Sequence, residues 1–314
     1  MTPAPLPLED RLEVGFITSF DSFESARSVA RSAEERGYAS LWVGDHVFFP
    51  LPTLDPLLLL AQAAAVSDRL LLGTAVYLLP LRHPVLVAKQ VTTLDRLCGG
   101  RFCFGVGIGG EFPAEYAACG IPVEERGARL SEALPLLKRL FTGDAVTHSG
   151  HFFPIPETRL LPPPLQPGGP PIWCGGRSPA ALRRMGRLAD GWVSYVVTPE
   201  RFREGLEAIA HAAEAASRKI ERFGTGHLLF TRIDADADAA LDAASEHLSQ
   251  RYLMDFRDAT RRYAALGRPE DVAQRIDDFH RAGVRHLILD CVGPWEDRDT
   301  QLERFASEVL PLLG

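Results

Sequence analysis

The chain has 314 residues, 46% hydrophobic and 24% charged, which is ordinary globular composition and enough length for one large α/β domain. Its net charge of -7, from 34 Lys+Arg against 41 Asp+Glu, leaves no basic stripe of the kind that nucleic acid or an anionic membrane surface requires, so neither is expected as a partner. The five cysteines, Cys98, Cys103, Cys119, Cys174 and Cys291, show no metal-ligand spacing; the apolar stretch Pro56 to Val66 is too short to span a bilayer; and MTPAPLPLED lacks the basic-then-apolar pattern of an export signal. A cytoplasmic protein with reduced cysteines is the expectation.

In chain order, short apolar or β-branched runs alternate with helical segments. EVGFI from Glu13 is followed by a helix that Asp21 and Glu24 would open as a capping box and Gly37 would end; SLWVG starts at Ser40 and LLLGTAVYL at Leu70. Pro84 opens the next helix, closed by Gly99 and Gly100, and FCFGVG follows from Phe102. Leu130, Leu134, Leu137 and Phe141 then line one face of a helix that Gly143 closes. The second half adds PIWCG from Pro171, GWVSY from Gly191, HLLFTRI from His227 and HLILD from His286, with a helix start at the DADADAA run. Eight βα units in this length predict a single (β/α)8 TIM barrel over residues 1–314. From Asp144 to Pro170 the rhythm breaks into short alternating pieces around Ser149 and Gly150 and then dense proline, which predicts an insertion before the fifth strand: a hairpin plus a Pro-rich loop.

In such a barrel the chemistry sits where strands end. The second strand ends in Asp45 and His46, followed by VFFPLP, an acid–histidine pair beside aromatic rings that suits proton transfer; a turn cap and a backbone-bonded histidine are the plain alternative. The third passes through Gly73, Thr74 and Ala75, small enough for a large ligand to lie against the strand or for a bend in the wall. The fourth ends in Gly105, Gly107, Ile108, Gly109 and Gly110, then Glu111; the spacing differs from the dinucleotide fingerprint and predicts clearance for a flat ligand, with Glu111 or Glu115 at the rim. After the fifth come Gly175, Gly176, Arg177 and Ser178, then Pro179. Two glycines, an N-cap serine and a first-turn proline make an anion site at a helix N-terminus, or equally a tight turn with no ligand. No HxH pair, metal-ligand cluster or nucleophile elbow accompanies these residues, so no metal is expected.

Taken together, AEERGYASLWVGDH, LGTAVYLLPLRHPVLVAKQVTTLDRLCGGRFCFGVGIGG, GGRSPAALRRMGRLADGW and GRPEDVAQRIDDFHRAGVRHLIL resemble the bacterial luciferase-like monooxygenase superfamily from about Leu12 to Leu312, and in particular its branch using coenzyme F420, a 5-deazaflavin. The resemblance implies that Gly175, Gly176, Arg177 and Ser178 hold the cofactor phosphate. It further implies that Asp45, Thr74, Ala75, Val76, Gly107, Ile108 and Gly109 lie along the cofactor, with a non-prolyl cis peptide between Ala75 and Val76. Asp45, His46 and Glu111 become the catalytic candidates. Sugar-phosphate dehydrogenases of this branch carry a tryptophan and a glutamate where this chain has Pro50 and Gly110, so their substrate is not implied. The expected function is hydride transfer between F420 and a small organic substrate, with an FMN-dependent two-component monooxygenase using molecular oxygen as the alternative and a non-catalytic flavin-binding protein as a third. Substrate choice is expected from the loop after Asp45, from 144–170 and from Tyr252 to Tyr263; a homodimer packed through barrel helices is the implied assembly.

Overall fold

The computed structural model describes residues 5–313. Residues 1–4 and 314, which belong to the expected domain and to the N-terminal stretch read above, lie outside the described residues. Parallel strands β1 (Glu13–Ile17), β2 (Ser40–Val43), β3 (Leu71–Thr74), β4 (Phe102–Gly107), β5 (Ile172–Gly175), β6 (Gly191–Tyr195), β7 (Gly224–Ile233) and β8 (His286–Cys291) pair in sequence order, and β8 pairs back onto β1. This is the closed (β/α)8 barrel that the alternation predicts. Helices cover it on the outside, among them Phe23–Glu35, Pro84–Leu97, Arg126–Phe141, Pro179–Leu188 and Pro269–Arg281.

The period-2 alternation of each strand divides the barrel into two cores. Leu41 and Val43 of β2, Phe102, Phe104 and Val106 of β4, and Leu287 and Leu289 of β8 join the large cluster with the helices. Trp42, Cys103, Val193, Leu228, Phe230 and Ile288 form a second cluster with Trp173. Trp42 and Trp173 fill the barrel centre with ring centroids 5.8 Å apart, and His286 stands edge-on to them at 5.3 and 5.7 Å. They fit because strands around them carry glycine: a Cβ on Gly73, the register partner of Trp42 on β3, would lie 2.2 Å from the Trp42 ring, and one on Gly224 of β7 would lie 2.2 Å from Trp173. Ser40 satisfies the polar atoms of this layer, 2.7 Å from His286 Nε2 and accepting the Trp42 indole N–H at 2.8 Å.

The helix boundaries follow the sequence with one change. Ser22, not Asp21, caps the first helix, in a reciprocal box with Ser25, because its hydroxyl reaches the third helical N–H while Asp21 accepts from Ser25. Leu130, Leu134, Leu137 and Phe141 are buried on one face as expected, and Asp236 caps the helix Ala237–Tyr252. Between Phe141 and β5, Ala145–His148 and Ile155–Arg159 pair antiparallel as a separate two-stranded sheet. Glu132 fastens it by accepting the N–H groups of Phe152 and Phe153, and Asp95 accepts those of Leu165 and Gln166 in the proline-rich return. This segment is thus pinned to the outer helices Pro84–Leu97 and Arg126–Phe141.

β7 is longer than its neighbours. Its first half pairs with β6 only as far as Leu228 opposite Tyr195, and its end, Thr231 to Ile233, pairs instead with Ala265–Gly267. The overhang carries the helices Ala237–Tyr252 and Arg257–Tyr263 above the C-terminal end of the barrel, and the first returns its last turn to the strand ends.

Two histidines buried in this frame set its acid tolerance. His227 faces the helices, 2.6 Å from Ser194 Oγ and stacked on Phe279, and burial pushes it down to about 3; His286 is pushed down to about 4 by the same cause. Both are neutral in the folded protein, whereas the unfolded chain protonates them near the ordinary value of about 6.5. The stability they permit is complete above that pH and is lost as pH falls from about 6.5 toward 4, at ~2 kcal/mol each by pH 5. Thermal unfolding midpoints recorded from pH 7 to pH 4 should fall steeply, and His286→Gln should flatten that slope; an unchanged slope would place the acid sensitivity elsewhere.

Candidate active site at the barrel mouth

The floor of the mouth is set by the end of β3. Thr74 is fully buried and its hydroxyl donates to the Gly105 carbonyl at 2.6 Å; the Ala75–Val76 peptide that follows is cis, at the bond the resemblance implied. The chain then continues as Tyr77–Leu78 along β4. Val76 stands in the mouth against glycines of the neighbouring strands. A Cβ on Gly107 would lie 2.3 Å from Val76 Cγ2, one on Gly175 would lie 3.2 Å from Cγ1, and one on Gly105 would lie 1.9 Å from the Thr74 carbonyl oxygen. The glycines of β4 and β5 are therefore clearances for this step.

The two residues that end β2 have separate tasks. Asp45 is buried, and both of its oxygens are taken by Arg82, at 2.5 and 3.0 Å, while the Leu78 N–H donates to it at 2.8 Å. Burial pushes its carboxyl above the ordinary range against the pull of the guanidinium. Asp45 thus ties the loop after β2 to the chain after β3. His46 is half-buried, its ring stacked on Phe49 at 4.1 Å with Phe112 edge-on at 5.7 Å. Its Nδ1 lies 3.2 Å from both oxygens of Glu115. Glu115 Oε1 also accepts the Val47 and Phe48 N–H groups, at 2.7 and 3.1 Å, so Nδ1 is the donor to it and Nε2 is left as the acceptor.

Glu115 is fully buried and not at the rim, since Pro113 starts a short helix that turns it under the loop. Glu111 is exposed and makes no side-chain hydrogen bond among the described residues. Ile108 is half-buried, its carbonyl accepting from the Tyr116 hydroxyl, and Gly109 and Gly110 have φ of 52° and 108°.

The strand-to-helix turn after β5 has the expected cap. Ser178 is the N-cap, its Oγ accepting from the Ala181 N–H at 3.3 Å, and Pro179 is the first helical residue. Gly176 has φ of 118°, a conformation that favours glycine, and its carbonyl accepts from the Trp192 indole at 2.8 Å. Arg177 and Ser178 are exposed, with the Arg177 guanidinium 3.4 Å from the Tyr195 carbonyl. A helix N-terminus, an uncovered glycine and a cation make an anion site.

The far wall includes Tyr252, at the start of a segment singled out in the sequence, but its pairings were not legible there. Tyr195, the last residue of β6, donates to the Tyr252 hydroxyl at 2.5 Å, and Arg251 pairs with Asp290 of β8 at 2.6 Å. Burial holds both phenols above their ordinary range, so both remain protonated donors. The expected Tyr252 to Tyr263 loop reaches the mouth here, whereas 144–170 is held on the outer helices.

A family model described as luciferase-like monooxygenase matches residues 7–297. An F420-dependent glucose-6-phosphate dehydrogenase of Kineococcus radiotolerans is 28% identical over 96% of this chain and 97% of its own length. An F420-dependent hydroxymycolic acid dehydrogenase of Mycobacterium tuberculosis is 31% identical over 76% of this chain and 68% of its own. Among solved structures, the coenzyme F420-dependent tetrahydromethanopterin reductase of Methanopyrus kandleri superposes with a TM-score of 0.81 at 20% identity, over 97% of this chain and 100% of that one.

The Asp45–Arg82 pair should be a pillar of stability. Asp45→Ala leaves a largely buried guanidinium without its carboxylate and should cost ~3 kcal/mol in denaturant unfolding, with Asp45→Ala/Arg82→Met recovering part of the loss. A near-neutral Asp45→Ala would remove that assignment.

Proposed function

The chain belongs to the luciferase-like monooxygenase family, and on that premise we propose that this flavin-type oxidoreductase binds coenzyme F420 across the barrel mouth and works on a small organic substrate. The cofactor reading draws on the relatives named for F420 dependence. When bound, the deazaflavin supplies a two-electron hydride donor or acceptor at its ring carbon C5. Gly175, Gly176, Arg177 and Ser178 hold the phosphate, Ala75 and Val76 back the ring, and Gly107, Ile108 and Gly109 leave it room. His46 Nε2 takes or returns the substrate's proton. The observation that carries this role is the Glu115 clamp on Nδ1, which fixes the tautomer and, with the Phe49 stack, the ring plane.

Asp45 is a positioning residue in this scheme, and Glu111, standing free at the surface, has no assigned step. The FMN-dependent monooxygenase remains the second reading because an FMN phosphate would use the same glycine turn. A cofactor carrier without catalysis would have no use for a clamped histidine. No helix among the described residues is long and apolar enough to cross a membrane. A cytoplasmic homodimer is part of the same proposal, supported by Leu58 and Leu86, exposed on two adjacent barrel helices.

Titrating the protein in parallel with F420 and with FMN, each oxidised and reduced, should show preferential quenching of its four tryptophans by the deazaflavin; preference for reduced FMN would move the assignment to oxygen-dependent chemistry. His46→Ala should lower turnover at least 100-fold, as expected for loss of a proton-transfer group, and leave cofactor affinity within about twofold. Gly176→Val should weaken cofactor binding by ten-fold or more, since valine resists positive φ and fills the phosphate approach; unchanged affinity would remove the phosphate site.

A further inference from the structure

The segment after β8 places a guanidinium against the end of β1 without giving it a counter-charge. Arg298, the first residue of the helix Arg298–Arg304, makes no ion pair among the described residues, whereas Arg82, Arg232 and Arg251 lie 2.5, 3.0 and 2.6 Å from the carboxylates of Asp45, Asp297 and Asp290. Its contacts are neutral: Nη2 donates to the carbonyl of Ile17, the last residue of β1, and the guanidinium stands 5.0 Å over the Trp295 ring. Its Nε is buried and has no hydrogen-bond partner among the described residues. Burial pushes the guanidinium below its ordinary value, outweighing the pull of Asp290, which is itself held by Arg251. A buried donor left unmatched costs free energy, and a desolvated cation without an anion costs more.

Arg298 lines a cavity of about 70 Å³ between β1, the first helix Phe23–Glu35 and the helix Arg298–Arg304. Phe16 and Val29 on its wall belong to the outer core shared with the helices, so the cavity lies outside the barrel wall and apart from the mouth. The other charges on the wall are matched. Arg36 holds Asp299 at 2.6 Å and Glu303 at 3.4 Å, and the Asp299 side chain is 75% exposed. Thr18 and Ser32 add hydroxyls, and that of Thr18 reaches only the adjacent Ser19 carbonyl, at 3.3 Å. The volume exceeds the ~10–15 Å³ that one water needs and falls far short of the ~300 Å³ at which pockets for larger organic ligands begin. Water in this space would complete the hydrogen bonding of Nε but leave the charge unbalanced, whereas a small anion does both.

We propose that this cavity binds a small monovalent anion, chloride or a short carboxylate such as acetate, held by the Arg298 guanidinium with the Thr18 and Ser32 hydroxyls beside it. The site lies where β8 closes onto β1, so the anion fastens the first helix to the last across the seam of the barrel. The inference is independent of the oxidoreductase reading.

The test is chloride NMR line broadening by the full chain, with sodium acetate and sodium gluconate as competitors. The protein should broaden the chloride line in excess of a buffer control; acetate should remove that excess, and gluconate, too large for the cavity, should not. Arg298→Met should weaken chloride binding by roughly tenfold or more, as expected for loss of a charged hydrogen-bond donor. Ser32→Met fills the cavity from the outer helix and leaves Arg298 in place, so it should abolish the broadening even if Arg298→Met fails to fold, its own folding being checked by circular dichroism. Gly176→Val, which alters the turn after β5, should leave the broadening unchanged. No excess broadening, equal removal by gluconate and acetate, or persistence in folded Ser32→Met would overturn the site, as would loss in Gly176→Val, which would put the anion at the turn after β5 instead.

Discussion

Steric clearance inside the barrel is the constraint on which the rest of this structure depends. Two tryptophans occupy the centre and leave no pore, and they can do so only because Gly73, the register partner of Trp42 on the adjacent strand, and Gly224 of β7 present hydrogen in place of a side chain. One layer higher the same device recurs: Val76 projects over Gly107 and Gly175. Interiors at this density tolerate little volume change, so the position of the floor is fixed by the layer beneath it. A ligand lying across the mouth meets a surface that was shaped by packing before it arrived, which is the condition for holding reacting atoms in register.

Above that floor, pairing of charges decides what is left for chemistry. Asp45 is consumed by Arg82, Asp290 by Arg251, and Glu115 by two backbone N–H groups and one imidazole nitrogen. Each pair also ties together elements far apart in the chain: the loop after β2 to the end of β3, the last turn of Ala237–Tyr252 to β8, and the loop after β2 to the helix after β4. In a partly desolvated site an unpaired charge would be costly, and these buried carboxylates are all paired, while Arg177 and Glu111 stand exposed. His46 is the exception by construction. One of its nitrogens is held by Glu115, and the other is the single imidazole acceptor at the end of β2. The electrostatic arrangement thus leaves the outer nitrogen of His46 without a partner among the described residues, the basis of the proton-carrying role proposed for it.

The eight strands were legible in the sequence because each is a short apolar run with punctuation on both sides, and period-2 alternation carries its own evidence. The glycine turn after β5 was legible for a similar reason, since its cap and first-turn proline are adjacent residues with local meaning. What stayed hidden are pairings between distant positions. Nothing local marks Arg82 as the partner of Asp45, 37 residues earlier, or Tyr252 as the partner of Tyr195, 57 residues before it. Glu111 and Glu115 show the same limit at short range. Both follow the glycines of β4, and only the turn begun at Pro113 decides that the second is buried under His46 while the first is left in solvent. The 144–170 segment looked like a place for specificity because it is irregular, yet Glu132 and Asp95 fasten it to the outer helices.

The overhang of β7 separates the two sides of the mouth structurally. The lower half of β7 is constrained on both sides by β6 and β8, and its glycines serve the Trp173 layer. Its upper half pairs only with the short strand Ala265–Gly267 and with the end of β8, and the residues that reach the mouth from it, Tyr252 and Phe256, come from the helical return. Substitutions there alter the wall opposite His46 but touch neither the Val76 floor nor the glycine turn after β5. The Val76 side of the mouth is therefore set by the barrel's own packing, whereas the Tyr252 side hangs from an extension that the barrel does not need in order to close. Such a division lets the far wall vary in polarity while the packing on the β2–β5 side is preserved. In this chain that wall is aromatic, with the Tyr195 and Tyr252 hydroxyls joined at 2.5 Å.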